Sequence, residues 1–198
     1  ETDWGGHGEG LDYLIVDTPP GTSDEHISTV QFLQGLEGGI SGALVVTTPE
    51  EISMADVRKE LNFCKKTNVP VLGVVENMAA IRIPVSSLTF FKRGDSDGGE
   101  EDGGVVNVTS DVFDKLGRHC PEILDMMAVA EVFAPSFGGP KVMAENFGVP
   151  YLGAIPLDPN LLKCCEEGLS FVECFGNSPA VKPLNKVCDE VLKVLPLD

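Results

Sequence analysis

Basic charge is scarce in this chain of 198 residues: 14 Lys and Arg stand against 31 Asp and Glu, a formal net charge of −17. Such a balance repels phosphate backbones and anionic headgroups, which argues against general nucleic-acid binding and against an anionic membrane as partner. A polyanion can be met only at a local site that overrides the global field. Long apolar runs are also missing. Stretches such as Leu14-Ile15-Val16 and Leu44-Val45-Val46 fall far short of a membrane span. The first residues, Glu1-Thr2-Asp3-Trp4-Gly5-Gly6, carry neither the basic nor the apolar stretch of a secretory leader. The six cysteines, at 64, 120, 164, 165, 174 and 188, form no regular framework. They read as reduced, mostly buried thiols of a cytoplasmic protein, with metal or cluster binding as the sharper alternative. No Gly-x-x-x-x-Gly-Lys-Ser/Thr string occurs, nor any Gly-Lys pair. The phosphate cradle and its lysine are therefore not among these residues, which by themselves should bind nucleotide weakly or not at all.

What is present suffices for a core: 42% of residues are hydrophobic and the mean hydropathy is +0.08. The length suits one domain. The chain begins without Met and meets an apolar run almost at once, so a fragment or processed chain is the expectation. Residues 12–17 (DYLIVD) read as a strand buried on both faces. Thr22 and Glu25 then offer a capping box for a helix from about Ser23 to Leu36, stopped by Gly38-Gly39. A second strand is expected at 42–47, ended by Pro49. Ser53 can cap a helix in which Met54, Val57, Leu61 and Cys64 share one face, so Cys64 reads as a core thiol. A third strand is expected at 69–75.

The pattern then breaks, and from Ala79 to about Arg118 no clean period appears. Gly94 to Gly104 holds five glycines, five acids and one serine, a solvated flexible insertion rather than core. Asp95 and Asp97 fit the first positions of a calcium loop, but Gly99 and Glu100 do not continue it. Order returns after Glu131, with a helix opened by Gly138-Gly139-Pro140 and running to about Phe147. A strand at 151–155, a short helix at 160–167 ended by Gly168, and a last helix over about 179–195 follow. Alternating buried strands and helices predict an α/β fold, a parallel doubly wound sheet with right-handed crossovers. The whole of 1–198 reads as part of one domain with an insertion at about 80–118.

In such sheets ligands bind at the carboxyl ends of strands. That rule selects Asp17-Thr18-Pro19-Pro20-Gly21, Thr47-Thr48-Pro49, Glu76-Asn77-Met78 and Pro156-Leu157-Asp158. An acid closing an apolar strand, as Asp17 does, is where nucleotide hydrolases hold Mg²⁺, directly or through water. Gly21 can present its backbone N–H to a terminal phosphate. A rigid turn with a capping acid is the plain alternative.

DYLIVDTPPGTSDEH, ALVVTTPEEISMADVRKELNFCKK, VLGVVENM, GVPYLGAIPLDP and CCEEGLSF together resemble the Mrp/Nbp35 family of P-loop ATPases. These are cytosolic scaffolds of iron–sulfur cluster assembly within the MinD/ParA-like deviant Walker (SIMIBI-type) group. The resemblance covers residues 11–78 and about 131–180. It implies a P-loop NTPase fold incomplete at its N-terminus, because the family's phosphate loop precedes the DTPPG segment. It also implies catalytic roles for Asp17, holding Mg²⁺ through water, and Gly21. Asn77, Pro156 and Asp158 would contact the adenine of ATP; for Asn77 a strand-end cap is the alternative.

The family places a Cys-Pro-x-Cys motif soon after Glu-Asn-Met, where thiolates of two subunits share a [4Fe–4S] cluster. Here Ala79-Ala80-Ile81 follows instead. The nearest counterpart is Cys120-Pro121-Glu122-Ile123, which lacks the second cysteine; Cys164, Cys165 or His119 could supplement it. A cubane needs four ligands, and one thiolate from each of two subunits supplies two. The implied function is an ATP-binding scaffold or carrier for cluster assembly, hydrolysing ATP in the full-length protein. Its partners would be a second copy or a related ATPase, late assembly factors and recipient apoproteins. The alternative is a metal-free, nucleotide-gated adaptor or positioning protein of the MinD/ParA type.

Overall fold

The computed structural model describes residues 11–19, 22–36, 38–93, 104–133 and 138–196. The elements run α1 (Asp24–Gln34), β1 (Ala43–Thr47), α2 (Glu51–Lys66), β2 (Val71–Pro84), β3 (Phe91–Arg93), β4 (Val105–Asn107) and α3 (Thr109–His119). They continue with β5 (Met127–Ala130), α4 (Gly139–Phe147), β6 (Tyr151–Leu157), α5 (Pro159–Glu167), α6 (Phe171–Cys174) and α7 (Val181–Val194). Two compact units result: Glu1–Ala79 with Phe133–Asp198, and Ala80–Val132.

The first unit is an α/β layer structure on a parallel sheet of β1, β2 and β6. Val45 faces Val74 and Thr47 faces Glu76 across the β1–β2 ladder. The Val74 N–H donates to the Pro150 carbonyl at 2.8 Å, which starts β6 on the other side of β2. Successive residues of a strand point to opposite faces. Val45 and Val74 therefore pack with Met54, Val57 and Leu61 of α2 and Met143 and Ala144 of α4. Val75 turns the other way and joins Leu152, Ile155, Cys164, Phe171, Val181 and Val187 under α5, α6 and α7. Gly73 is a glycine because β6 comes close: a Cβ there would lie 2.5 Å from Leu152 Cγ.

The helices follow their sequence signals. The expected face of Met54, Val57, Leu61 and Cys64 is the buried face of α2. Glu51 in its first turn and Lys65 and Lys66 in its last complement the helix dipole. Its start differs from the expectation: the N-cap is Glu50, and Ser53 lies inside the first turn. Glu50 keeps an extended backbone after Pro49 and the helix begins at Glu51, so Ser53 is already helical. Similarly, the N-cap position of α1 is held by Ser23 rather than Thr22, without a side-chain cap hydrogen bond. The Ser23 hydroxyl bonds to Glu25 and holds that carboxyl below its ordinary range. Gly138 and Gly148 bracket α4 in left-handed conformations, as its flanking glycines imply.

Residues 12–17 are not a strand. Among the described residues nothing pairs with them, and a strand needs a ladder as well as apolar side chains. Ile15 is 89% exposed, and the Tyr13 hydroxyl donates to the Leu195 carbonyl at the end of α7. β1 accordingly has β2 as its one ladder partner among the described residues, and Leu44 and Val46 on its second face stay exposed.

The second unit contains regular structure where no period is legible. The end of β2 pairs antiparallel with β5, Ile81 facing Ala130 and Pro84 facing Met127. β3 and β4 pair antiparallel, Phe91 facing Asn107. Thr109 at the start of α3 ties this ribbon down: its hydroxyl accepts from the Phe90 N–H at 2.9 Å. Phe90 and Phe113 meet edge to face at 5.7 Å. Strands of three residues are too short to display an alternation. Of the acidic insertion at 94–104, all but Gly104 lies outside the described residues, with the calcium-loop positions Asp95 and Asp97.

Met54 is 1% exposed in the first cluster. Met54→Ala is expected to lower stability by about 2–5 kcal/mol in urea denaturation, while Ile52→Ala on the exposed side of α2 changes it by less than about 0.5 kcal/mol.

Candidate functional site

The carboxyl end of β1 and the middle of β2 form one polar corner. Thr47 is buried and faces Glu76, and its hydroxyl donates to the Thr48 carbonyl at 3.0 Å. The Thr48 hydroxyl is itself buried and has no hydrogen-bond partner among the described residues. The Glu76 carboxylate accepts a 2.6 Å hydrogen bond from the Tyr151 hydroxyl. Burial, then this hydrogen bond, then the Glu76 charge push the Tyr151 hydroxyl well above the usual tyrosine range. Parity accounts for the pair. Glu76 shares the face of Val74, so its acid points into a covered layer and needs a donor. Sequence reasoning missed Tyr151; the signal was the single acid ending the apolar run VLGVVE.

Asn77 follows in β2, half-buried. It is not at a strand end, because β2 runs on to Pro84. The strand changes partners here: pairing with β1 reaches Glu76, and pairing with β5 begins at Ile81. Met78 takes a left-handed φ of 56° in the changeover, and its N–H donates to Asn77 Oδ1 at 3.0 Å. Asn77 thus caps the kink with its oxygen, which leaves Nδ2 to donate elsewhere.

Pro156 is buried in β6, and Asp158 closes that strand. Asp158 is the N-cap of α5: Oδ1 accepts from the Asn160 N–H at 2.8 Å, with Pro159 in the first turn. Oδ2 accepts from the Ser178 hydroxyl, whose oxygen in turn accepts from the Ala180 N–H. One carboxylate therefore fastens the end of β6 to the turn before α7.

The remaining expected residues stand apart. Asp17 is exposed on the irregular segment 11–19, and Gly21 lies outside the described residues. Among the described residues no hydrogen bond or ion pair joins Asp17, Asn77 and Asp158. Cys120 is half-buried in the second unit, between α3 and the 3-10 turn Pro121–Asp125. Its N–H donates to the Leu116 carbonyl at 2.8 Å. Among the described residues no group of three or more His, Cys, Asp or Glu side chains is arranged to hold a metal ion. Nor is any described helix long and apolar enough to cross a membrane. Cys64 is buried as expected, and desolvation raises its thiol pKa.

Two outcomes follow from these contacts. A tyrosine raised in the folded state contributes stability that is whole below its unfolded pKa of about 10 and is lost as pH rises through the folded value. Denaturant unfolding from pH 8 to pH 11 should therefore show wild type losing stability above pH 10, with Tyr151→Phe losing less. Asp158→Ala removes both the cap and the Ser178 acceptor, and should cost on the order of 2 kcal/mol in the same assay; Asp158→Asn should cost less.

The structure is similar to the crystal structure of the cell division ATPase MinD of Pyrococcus furiosus, at 20% sequence identity and a TM-score of 0.43. The likeness covers 78% of this chain and 43% of that one, so this chain spans less than half of the MinD chain. Residues 1–110, more than half of the sequence, match the ParA family model described as the NUBPL iron-transfer P-loop NTPase. The chain therefore belongs to the ParA family of NUBPL-type iron-transfer P-loop NTPases.

Proposed function

We propose that the chain serves in an ATP-binding scaffold or carrier for iron–sulfur clusters, acting in the cytoplasm as a homodimer or as a heterodimer with a related ATPase. The observation that carries this reading is the iron-transfer family match over residues 1–110. Asp17 would hold Mg²⁺ through its water shell, and Gly21 would lie over the terminal phosphate. Asn77 would offer its free Nδ2 donor to adenine. Pro156 would supply an apolar wall, and Asp158, fixed by Ser178, would keep that loop rigid.

The cluster is cargo on this reading. One chain's described residues assemble no ligand group of their own, so the ligands would come from two chains, with Cys120 from each. ATP binding and hydrolysis would change the dimer face, and so load or release the cluster to late assembly factors and apoproteins.

Anaerobic reconstitution of the chain with iron and sulfide tests the proposal. A visible charge-transfer band that Cys120→Ala abolishes is expected, together with no ATP turnover by residues 1–198, which lack a phosphate loop and its lysine. Wild-type protein without a band would point instead to the metal-free adaptor reading.

A further inference from the structure

The second unit is short of interior. None of its described residues between 80 and 132 is buried. Met126, Met127, Val129 and Val132, in and around β5, are all exposed. A folded unit hides such side chains against something.

β5 is where a cover would go. It ends the β1-β2-β5 path, so one of its edges has no strand beside it among the described residues. Parity says which main-chain groups face that edge. The Val85 N–H donates to the Met126 carbonyl at 2.9 Å. In the same register Ala128 and Ala130 turn their main-chain groups toward Ile83 and Ile81 of β2. The N–H and C=O groups of Met127 and Val129 therefore point outward. Proteins blunt such edges with proline or charge. On β2 the residues whose main-chain groups point away from β5 are Arg82 and Pro84, one charged and one without an N–H. β5 reads Met-Ala-Val-Ala and has neither device.

This bare edge is complementary to itself. Two copies related by a twofold axis at Ala128 can pair antiparallel, with Met127 opposite the second copy's Val129 and Val129 opposite its Met127. Each pair exchanges both N–H···O bonds, four in all. Ala128 then faces its own counterpart as a non-hydrogen-bonded pair, with Cα atoms about 4.5 Å apart. A small side chain suits that approach. Pro84 faces Met127 and Arg82 faces Val129 across the β2–β5 ladder, so these side chains share one face. The two copies would continue that face as one four-stranded sheet, with their Arg82 side chains in different rows.

We propose that the outer edge of β5 is the docking surface for a second copy of this chain, joined β5 to β5 about Ala128. The inference rests on the dimeric reading of the carrier and gives that dimer a contact that needs neither nucleotide nor cluster. With Met127 43% and Val129 61% exposed, and with the Met126, Val132, Arg82 and Pro84 stems, two copies would cover on the order of 1,000 Å². That is the low end for specific association, and it sets a weak, reversible dimer with a Kd on the order of 10–100 μM. Charge opposes the contact. Each copy carries −17, and the register brings Asp125 toward the second copy's Glu131. Added salt should therefore tighten the dimer.

The test is sedimentation equilibrium of the reduced, metal-free chain from about 1 μM to about 1 mM, at low and high salt. A monomer–dimer equilibrium that salt strengthens is expected. Val129→Pro removes an outward donor and blocks the edge while sparing the β2 ladder, and should weaken association on the order of tenfold or more. Ala128→Cys keeps the strand intact and places one thiol from each copy at the axis. Mild oxidation should join these introduced thiols in a disulfide between chains, mapped by mass spectrometry. Cys120→Ala should change neither result, which separates this surface from the cluster. A chain that stays monomeric throughout would overturn the proposal. So would a dimer that Val129→Pro leaves intact, or interchain links that avoid position 128. A cluster band in protein with any of these outcomes would leave the carrier reading standing without this surface.

Discussion

Everything in the first unit depends on β2 being buried from both faces. Val74 is fully covered on one side and Val75 nearly so on the other, which commits two helical layers to one strand. A strand so placed has no solvent to satisfy its backbone, so its ladder must be supplied by neighbours. β1 provides it on one edge and β6 on the other. The close approach of β6 requires glycine at 73, and the parity of the strand then decides where every later side chain points. Glu76 is an outcome of that parity, turned inward and answered by Tyr151.

The same constraint shapes the candidate site. Polar residues of the sheet have two employers, the fold and any ligand. Asp158 is engaged by the fold at both oxygens, once as a helix cap and once by Ser178. Asn77 gives its oxygen to a kink and keeps its amide hydrogens. The Thr48 hydroxyl is the reverse case, buried and without a partner among the described residues. These assignments make the adenine reading one of rigid presentation: the atoms offered to a ligand are those the fold has not used. Among the described residues no group of three or more His, Cys, Asp or Glu side chains is arranged to hold a metal ion.

Much of this fold is legible in the sequence where a signal is local. The α2 stripe from Met54 to Cys64, the glycine-proline opening of α4, and the short helix α5 with its Gly168 stop all reappear in the structure. Each depends on side-chain spacing of three or four residues, or on the backbone freedom of one glycine, and such properties travel with the sequence. DYLIVD shows the limit. Its apolar run has the composition of a buried strand, yet composition does not provide a ladder, and the segment lies exposed beside α7. The second unit shows the same limit from the other side. Its strands of three residues are stabilised by pairing and by the Phe90–Phe113 contact, and neither leaves a period to read.

The sequence by itself determined the alternating α/β order and the family to which the chain belongs. Those are written in hydrophobic spacing and in strings such as DTPPGTSDEH. Only the tertiary structure decided that Glu76 meets Tyr151 and that Asp158 holds Ser178 across twenty residues. Such contacts depend on sheet register and on the direction of a turn. A one-residue slip in β2 would turn Glu76 to the other face while leaving the sequence unchanged.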